Sequence, residues 1–287
     1  MANLKEIRSR ISSVASTMQI TSAMKMVSAA KLKRAQDAII QMRPYSNKLT
    51  ELLENVSSSL DGSEGGEYSV SRNIKNVLLV AISSNRGLCG GFNSNIIKSV
   101  KTLIESEYQN KKVDILSIGK KTSEHFTKND YNVIAIKDDV FNNLNFENIS
   151  LIADDIMQKF TIKKYDKVVL VYNQFKNAAT QIIMNENYLP VENKKTQENI
   201  SSDHLFEPNK KEIIEDLIPK SLKTQLFKAV LDSHAAEHGA RMTAMHKATD
   251  NAGELKKELT LTYNKARQAA ITGEILEIVG GAEALNN

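Results

Sequence analysis

The segment HAAEH, residues 234–238, has the residue types and spacing of one class of zinc peptidase site. On a helix, His234 and His238 would lie on one face, with Glu237 beside a metal-bound water. The pattern is short and arises often by chance, and no acidic ligand in a cleft follows it, because the helical pattern simply continues. We therefore favour a polar patch on a long helix and keep a zinc site as the alternative.

The segment GLCGG, residues 87–91, follows an apolar run and resembles a phosphate-binding turn. It lacks the Lys-Ser/Thr of a P-loop, and its glycines do not match the dinucleotide pattern G-x-G-x-x-G. We expect a tight turn from a strand into a helix. Cys89, the single cysteine, excludes an internal disulfide and a multi-cysteine metal site. It has no evident His or acid partner, so we expect a small buried residue and keep a catalytic thiol as the alternative.

The positive charge of the chain is concentrated near its N-terminus. The net charge of the whole chain is +4. Residues 1–48 carry nine Lys or Arg against Glu6 and Asp37, which leaves the other residues with a net charge of −3. A basic arm indicates an acidic protein surface, a nucleic acid or an anionic lipid as partner. We favour an acidic protein, because the charges spread around the helix and Tyr45 is the only aromatic residue for base stacking.

Glycine and proline are scarce in the chain, with 12 and 4 among 287 residues, which favours long uninterrupted elements. No run of about 20 apolar residues is present, so we expect no segment that spans a membrane. The N-terminus has no apolar core of a signal peptide, and a helical period begins almost at once. We therefore expect the protein to stay in the compartment where it is made.

The first 60 residues are expected to form one long helix. An apolar stripe begins with five positions at 3–4 spacing and then drifts around the helix, as in a coiled coil. The stripe comprises Leu4, Ile7, Ile11, Val14 and Met18, followed by Ala23, Val27, Ala30 and Ala38. About 55 helical residues would span roughly 80 Å. Pro44 is a candidate kink or interruption, and residues 57–71 read as a loop.

A second long helix is expected over residues 211–287. Small or apolar residues recur there in steps of 3 and 4, with one local slip near Ala252. The positions are Ala235, His238, Met242, Met245, Thr249, Ala252, Leu255, Leu259, Thr262, Ala266, Ala269, Gly273, Leu276 and Gly280. A helix of this length cannot bury its stripe alone. The simplest partner is the N-terminal helix, in an antiparallel coiled coil.

The middle of the chain, residues 74–205, alternates strand and helix patterns. Strands are predicted at 76–84, 112–119, 131–136 and 167–175, with helices at 93–108, 120–129 and 147–163. This order indicates an open, Rossmann-like α/β domain with parallel strands. Residues after 179 are expected to add antiparallel strands at the edge, and residues 193–211 to form a polar loop. The predicted fold is thus a long antiparallel coiled coil of the two terminal helices plus this domain.

Three segments carry a family resemblance. The N-terminal IRSRISSVASTMQITSAMKMVSAAKLKRAQ resembles the opening of the gamma subunit of bacterial-type F-type ATP synthases. The segment that starts HGARMTAMHKATDNAGELKKEL and runs to the C-terminus looks like the closing signature of that family. AISSNRGLCGGFNSNI is similar to its first strand and glycine loop. The resemblance covers the whole chain in the right order.

The resemblance implies a rotating central shaft with no catalytic, cofactor or metal site of its own. The coiled coil would turn inside a ring of three alpha and three beta subunits, and the α/β domain would contact the epsilon subunit and the membrane c-ring. Proton-driven rotation would force the catalytic beta subunits through different states to make ATP. The implied place is peripheral, on the cytoplasmic face of the bacterial cell membrane, without insertion or nucleic-acid binding.

Five residues are carried over from the family by motif as coupling residues. Met24 would lie near the acidic lever of a beta subunit, and Arg241, Gln268 and Thr272 would bear on coupling. Arg267 and Gln268 resemble the pair that makes polar contacts with a catch loop on the ring, where Arg can fork onto a carboxylate. The alternative is that these are solvated helix residues. The glycine at position 273 and the lack of the chloroplast cysteine pair depart from other members.

Overall fold

A computed structural model of the chain describes residues 4–58, 67–191 and 210–285. By contacts, the chain forms two compact units, Ala29–Arg241 and the pair Met1–Ser28 with Met242–Asn287. The division into 1–60, 74–205 and 211–287 follows element type instead and stays a prediction. Of the loops predicted at 57–71 and 193–211, residues 59–66 and 193–209 lie outside the described residues. No described helix is long and apolar enough to span a membrane.

The larger unit contains a five-stranded sheet with the strand order β3-β2-β1-β4-β5. The strands are β1 Asn76–Ile82, β2 Lys112–Ile118, β3 Val133–Ile136, β4 Lys167–Phe175 and β5 Gln181–Leu189. The first four are parallel, whereas β5 pairs antiparallel with β4 at the edge. The predicted parallel strands and antiparallel edge are confirmed, although a single edge strand follows residue 179 where more than one was expected.

Helices cover both faces of this sheet. They are α2 Phe92–Ser106, α3 Lys120–Lys128 and α4 Phe146–Thr161, with a short 3-10 helix at Asp139–Asn142. Alternate residues of the buried strand β1 point to opposite faces, so Leu78, Val80 and Ile82 join the core beneath α4 while Val77 and Leu79 join the core beneath α2. Burial on both sides explains why β1 reads as a continuous apolar run.

The long helix α1 spans Leu4–Ser58 and continues through Pro44, so the predicted interruption there is wrong. Its less exposed face follows a strict seven-residue repeat, the signature of a left-handed supercoil. The two series of that repeat are Ile7, Val14, Thr21, Ser28, Ala35 and Ile11, Met18, Lys25, Leu32, Ile39.

The predicted drift of the α1 stripe to Ala23, Val27 and Ala30 is wrong, because all three are exposed, Val27 to 57%. Two small polar residues, Thr21 and Ser28, hold the buried positions instead. Their hydroxyls donate to backbone carbonyls one turn back, at 3.1 Å and 2.7 Å, so they are buried without loss of hydrogen bonds. Because polar residues hold these buried positions, a search of the sequence for apolar residues does not find this part of the seam.

In the smaller unit, α1 packs antiparallel to α5, which spans Lys210–Leu285. The hydroxyls of Thr21 and Thr249 lie 2.8 Å apart. Three residues earlier in α1, the Met18 sulfur lies 3.9 Å from where a Cβ on Gly253 would stand. The second contact lies three residues earlier in α1 but four residues later in α5 than the first. The two helices therefore run in opposite directions, which confirms the antiparallel pairing.

The α5 face is more regular than the sequence suggested. From Met245 onward a regular series of less exposed positions runs along it, flanked by Ala248 and Gly253: Met245, Thr249, Ala252, Lys256, Leu259, Tyr263, Ala266, Ala270 and Gly273. They keep alternating steps of 3 and 4, so the predicted slip at Ala252 is wrong. Lys256 holds the position assigned to Leu255, which is exposed, because the alkyl part of lysine can cover a seam while its ammonium reaches water.

Two glycines of α5 make a matched test of helix packing. At Gly239, a Cβ would lie 3.3 Å from the backbone Cα of Ala178 and 3.3 Å from the Phe175 ring, whereas Gly253 has room. We expect Gly253→Ala to stabilise the chain by about 1 kcal/mol through helix propensity. Gly239→Ala should destabilise it by about 1 kcal/mol or more, because backbone cannot yield cheaply. Thermal unfolding measures both, and equal shifts would contradict close packing at Gly239.

Candidate functional site

The glycine loop, residues 87–91, is the predicted tight turn between β1 and α2. Leu88 and Gly90 have φ of 64° and 58°, in the left-handed region. A non-glycine residue held there is strained, and Leu88 is also 67% exposed. The loop therefore exposes the apolar side chain of Leu88. Its left-handed backbone conformation must be stabilised by neighbouring residues.

A buried ion pair on α5 enforces that conformation. Arg241, only 7% exposed, donates to the carbonyl oxygens of Gly87 and, at 3.2 Å, of Arg86. Its other contact is the Glu237 carboxylate, at 2.6 Å. Burial raises the pKa of Glu237, and the Arg241 guanidinium opposes that shift. One planar cation thus binds a carboxylate one turn back and two carbonyls of the loop.

The Cys89 side chain is buried beneath the loop. It packs with Phe92, Ala236 and Ala240, and the amide of Asn93 donates to its sulfur at 3.2 Å. Burial raises the pKa of the thiol, so it stays protonated and weakly nucleophilic. The expectation of a small buried residue is confirmed.

Alkylation tests this burial. We expect iodoacetamide to modify native Cys89 at least about a hundredfold more slowly than the urea-unfolded chain, because little thiolate forms and access is blocked. The matched control is the double variant Cys89→Ala with Leu88→Cys, which places the thiol one residue earlier at an exposed position. Modification of this thiol should be fast. Rapid native modification of Cys89, followed by mass spectrometry, would contradict the packing.

The phosphate-binding alternative meets an obstacle at the sheet. In open α/β sheets, ligands bind in the crevice at the carboxyl ends of strands where the connections diverge, here between β1 and β4. Ala236 and Ala240 of α5 fill this place, packed against Cys89, Phe92 and Phe175. A helix of the same chain therefore occupies the position that a nucleotide takes in other proteins of this architecture.

The two histidines of HAAEH lie together on α5, one turn from the buried ion pair. Their Nε2 atoms are 3.1 Å apart, and the His234 ring stacks on Phe141. Desolvation lowers the pKa of His234 to about 4 and of His238 to about 3, with Lys31 contributing to both. Glu237 is held by Arg241 rather than standing free as a general base. This arrangement does not support a peptidase.

The histidine pair predicts a pH dependence of stability. Both pKa values are lower in the folded chain than the usual 6.5, so below pH 6.5 the unfolded chain binds protons that the folded chain does not. The free energy of unfolding should fall by about 1 kcal/mol per pH unit for each histidine between pH 6.5 and about 4. Urea titrations at several pH values should show a shallower slope for His234→Gln/His238→Gln. The exposed control His246→Gln should keep the wild-type slope, and equal slopes in all three would contradict the prediction.

The other coupling residues from the sequence lie in the smaller unit. Met24 is half-buried on α1, whereas Arg267, Gln268 and Thr272 are exposed on α5. The Thr272 hydroxyl donates to the Gln268 carbonyl at 2.9 Å, so part of its hydrogen-bonding capacity is used within the helix. Arg241 belongs to the larger unit. The five residues are therefore spread along two helices instead of lining one pocket.

Sequence reasoning missed an apolar surface at the end of α5. Equal rise along the antiparallel helices puts Leu4, the first described residue of α1, opposite about Arg267. Beyond that level five large apolar residues are exposed, with Ile278 at 71%. They are Ile271, Ile275, Leu276, Ile278 and Val279. Leu276 was assigned to the seam predicted over residues 266–280, and that assignment is wrong because it is 66% exposed. The available signal was that the other four lie outside that seam.

The comparisons with known proteins agree with this architecture. The family model described as ATP synthase matches residues 3–285. An ATP synthase gamma chain of Christiangramia forsetii is 62% identical over 286 residues, which covers 100% of both chains. The chain belongs to the ATP synthase gamma chain family.

Solved structures give the same result at the level of the fold. A chain of the Euglena gracilis mitochondrial ATP synthase, in a structure of OSCP, F1 and c-ring, matches with a TM-score of 0.71 at 25% identity. It covers 98% of this chain, which covers 94% of that one. A chain from the central stalk and c-ring of the Tetrahymena thermophila enzyme matches with a TM-score of 0.61 at 28% identity, with 80% and 99% coverage.

Proposed function

We propose that this chain is the central shaft of an ATP synthase, which turns with a membrane ring and drives the catalytic subunits through their conformational cycle. The observation that carries the proposal is the end of α5, where large apolar side chains lie exposed on a helix beyond the part paired with α1. Apolar surface of this kind normally marks a site of protein contact. A surrounding ring of subunits fits that requirement.

Rotation can transmit energy because one shaft is asymmetric. In a ring of three alpha and three beta subunits, each beta subunit would face a different side of the helix pair. Differential contact energy is what shifts a conformational equilibrium. Catalysis is accordingly proposed to take place on the beta subunits, with no catalytic site on this chain. The basic residues of 1–48 would suit an acidic segment of those subunits.

The remaining contacts and the location follow from the same proposal. The α/β part, 74–205, would contact an epsilon subunit and the c-ring, while the arms 1–60 and 211–287 would enter the ring of alpha and beta subunits. The similar solved structures are of assemblies that include F1, the central stalk and the c-ring, and they support these partners. We place the complex at the cytoplasmic face of the bacterial membrane, in line with the bacterial relative.

The coupling residues are proposed to act by two routes. Arg267, Gln268 and Thr272 are exposed and would contact the ring directly, with Met24 near an acidic lever. Arg241 is buried, so it would act by holding the glycine loop, whose exposed Leu88 is then available to a partner. We therefore expect substitution of the exposed residues to reduce coupling without changing the stability of the chain. Substitution of the buried Arg241 should reduce both coupling and stability.

Reconstitution tests the proposal. The chain mixed with separately purified alpha and beta subunits should give a complex that hydrolyses ATP, while the chain alone hydrolyses none. A chain truncated after residue 270 lacks the exposed apolar end and should assemble less tightly or couple poorly. ATP hydrolysis by the isolated chain would overturn the proposal, and so would salt-sensitive DNA binding that the alpha and beta subunits do not displace.

A further inference from the structure

The strand β5 lies at one edge of the sheet, and its outer side pairs with no other strand among the described residues. It is nine residues long, and its sequence contains neither lysine nor proline, the residues that commonly protect an exposed edge. Ile182 and Ile183 point to opposite faces and are 40% and 41% exposed. This edge therefore combines backbone groups that a further strand can pair with and apolar side chains on both faces.

The opposite edge of the sheet differs in this respect. The strand β3 has only four residues, and a bulge interrupts its pairing with β2. Short strands and bulges both discourage a further strand from pairing. The last part of β5 is also covered, because Tyr188 and Leu189 are buried and the Gln225 amide of α5 donates to the Asn187 carbonyl at 3.5 Å. The accessible part of the β5 edge is therefore residues 181–185.

A groove of about 430 Å³ lies beside this part of the edge, between β5 and α2. The Ser99 hydroxyl of α2 donates to the side-chain oxygen of Asn185 at 2.8 Å and links the two elements. In strand addition, the main chain supplies affinity, while pockets for alternate side chains supply specificity. Most of the residues that line this groove are polar, and they include Asn95, Lys98, Ser99, Thr102, Ile183 and Asn185.

Lys98 supplies a positive charge that a partner can match. Its side chain is exposed, and no described residue forms an ion pair or a hydrogen bond with its ammonium group. By contrast, Lys121 and Lys159 each pair with a carboxylate one turn away on their own helix. A carboxylate on a strand that entered the groove would therefore meet a cation without a partner in this chain.

We propose that residues 181–185 of β5 and the groove beside them bind an extended segment of the epsilon subunit, which adds a sixth strand to the sheet and places a carboxylate beside Lys98. This inference rests on the proposed function, because the occupant is one of the two partners proposed for the α/β part. The other partner, the membrane ring, satisfies the backbone groups of its spanning segments internally and has no strand to add.

Hydrogen exchange of the full chain, with and without the purified epsilon subunit, tests the proposal. In the free chain, the amides of residues 181–185 that point away from β4 should exchange rapidly, because no other strand protects them. With the epsilon subunit at about 100 times its dissociation constant, these amides should exchange about a hundredfold more slowly. The outer amides of β3 are the matched control and should keep their rate. Fragmentation mass spectrometry resolves the rates of single residues.

Charge reversal tests the role of Lys98 separately. Lys98→Glu should weaken epsilon binding about tenfold in calorimetric titration, because it places a like charge against the incoming carboxylate. Lys101→Glu is the matched control, since Lys101 lies on the same helix but does not line the groove. Its affinity should equal that of the wild type. Equal losses in the two variants would contradict a carboxylate beside Lys98.

Three further results overturn the proposal. They are no binding of the epsilon subunit, unchanged exchange of residues 181–185 in the bound chain, and protection of the same amides in the free chain as its concentration rises. The last result would assign the edge to a second copy of this chain. The proposed function has its own test, since it is the assembly of an ATP-hydrolysing complex with the alpha and beta subunits that decides it.

Discussion

Replacement of Arg267 and Gln268 by alanine should reduce ATP synthesis by the assembled complex about tenfold to a hundredfold. Hydrogen bonds that involve a charged group contribute about 1.5–3 kcal/mol, and the double variant removes the proposed contacts of both residues with the ring. Both side chains are exposed in the chain itself. Its own fold should therefore be unaffected, with a change in unfolding free energy within about 0.5 kcal/mol.

Synthesis driven by a proton gradient in reconstituted vesicles measures the effect, alongside the temperature of unfolding of the isolated chain. The adjacent exposed pair gives a matched control, Asn264→Ala with Lys265→Ala, which should keep nearly full synthesis. Unchanged synthesis and assembly in the Arg267/Gln268 variant would remove these residues from the coupling surface. A loss of equal size in the control would show that any change to this stretch of α5 is harmful.

The second large effect is expected at the buried ion pair. Arg241→Ala should lower the unfolding free energy by about 3–5 kcal/mol, because it leaves the Glu237 carboxylate buried without its partner. The variant also removes the donor to the carbonyls of Arg86 and Gly87. The glycine loop then loses the contact that holds Leu88 in its strained conformation, so complex activity should fall with stability.

A second variant separates the ion pair from the loop contact. Arg241→Met with Glu237→Leu replaces both charges by apolar side chains and should recover part of the stability measured by urea unfolding. Recovery should be incomplete, and activity should stay low, because the loop carbonyls still lack a donor. Full recovery of both quantities would contradict a role of Arg241 in holding the loop.

The α/β part could be predicted closely from the sequence because its signals are local. The strand β4 was predicted at 167–175, its observed bounds, since a continuous apolar run between polar residues has few alternatives. The helix pair was harder to predict in detail. Seam positions held by Thr21, Ser28 and Lys256 are polar, and their burial depends on the facing helix rather than on their own character.

The candidate site was predictable only in part for the same reason. The motifs GLCGG and HAAEH begin 147 residues apart, at Gly87 and His234. Because they are so distant in sequence, nothing local indicates that Arg241, three residues after HAAEH, donates a hydrogen bond to the carbonyl of Gly87. Arginine in a basic helix reads as solvated, and only the fold shows its burial. The predicted seam was extended to the end of α5, because the sequence alone does not show where α1 ends opposite α5.

Direct observation of rotation tests the central claim. The complex is fixed to a surface through its beta subunits, and a bead is attached to an exposed residue of the α/β part of this chain, such as Glu105 replaced by cysteine in a Cys89→Ala background. On addition of ATP, the bead should turn in one direction in steps of about a third of a turn, one for each beta subunit. A bead that stays still while the same complexes hydrolyse ATP would contradict the account.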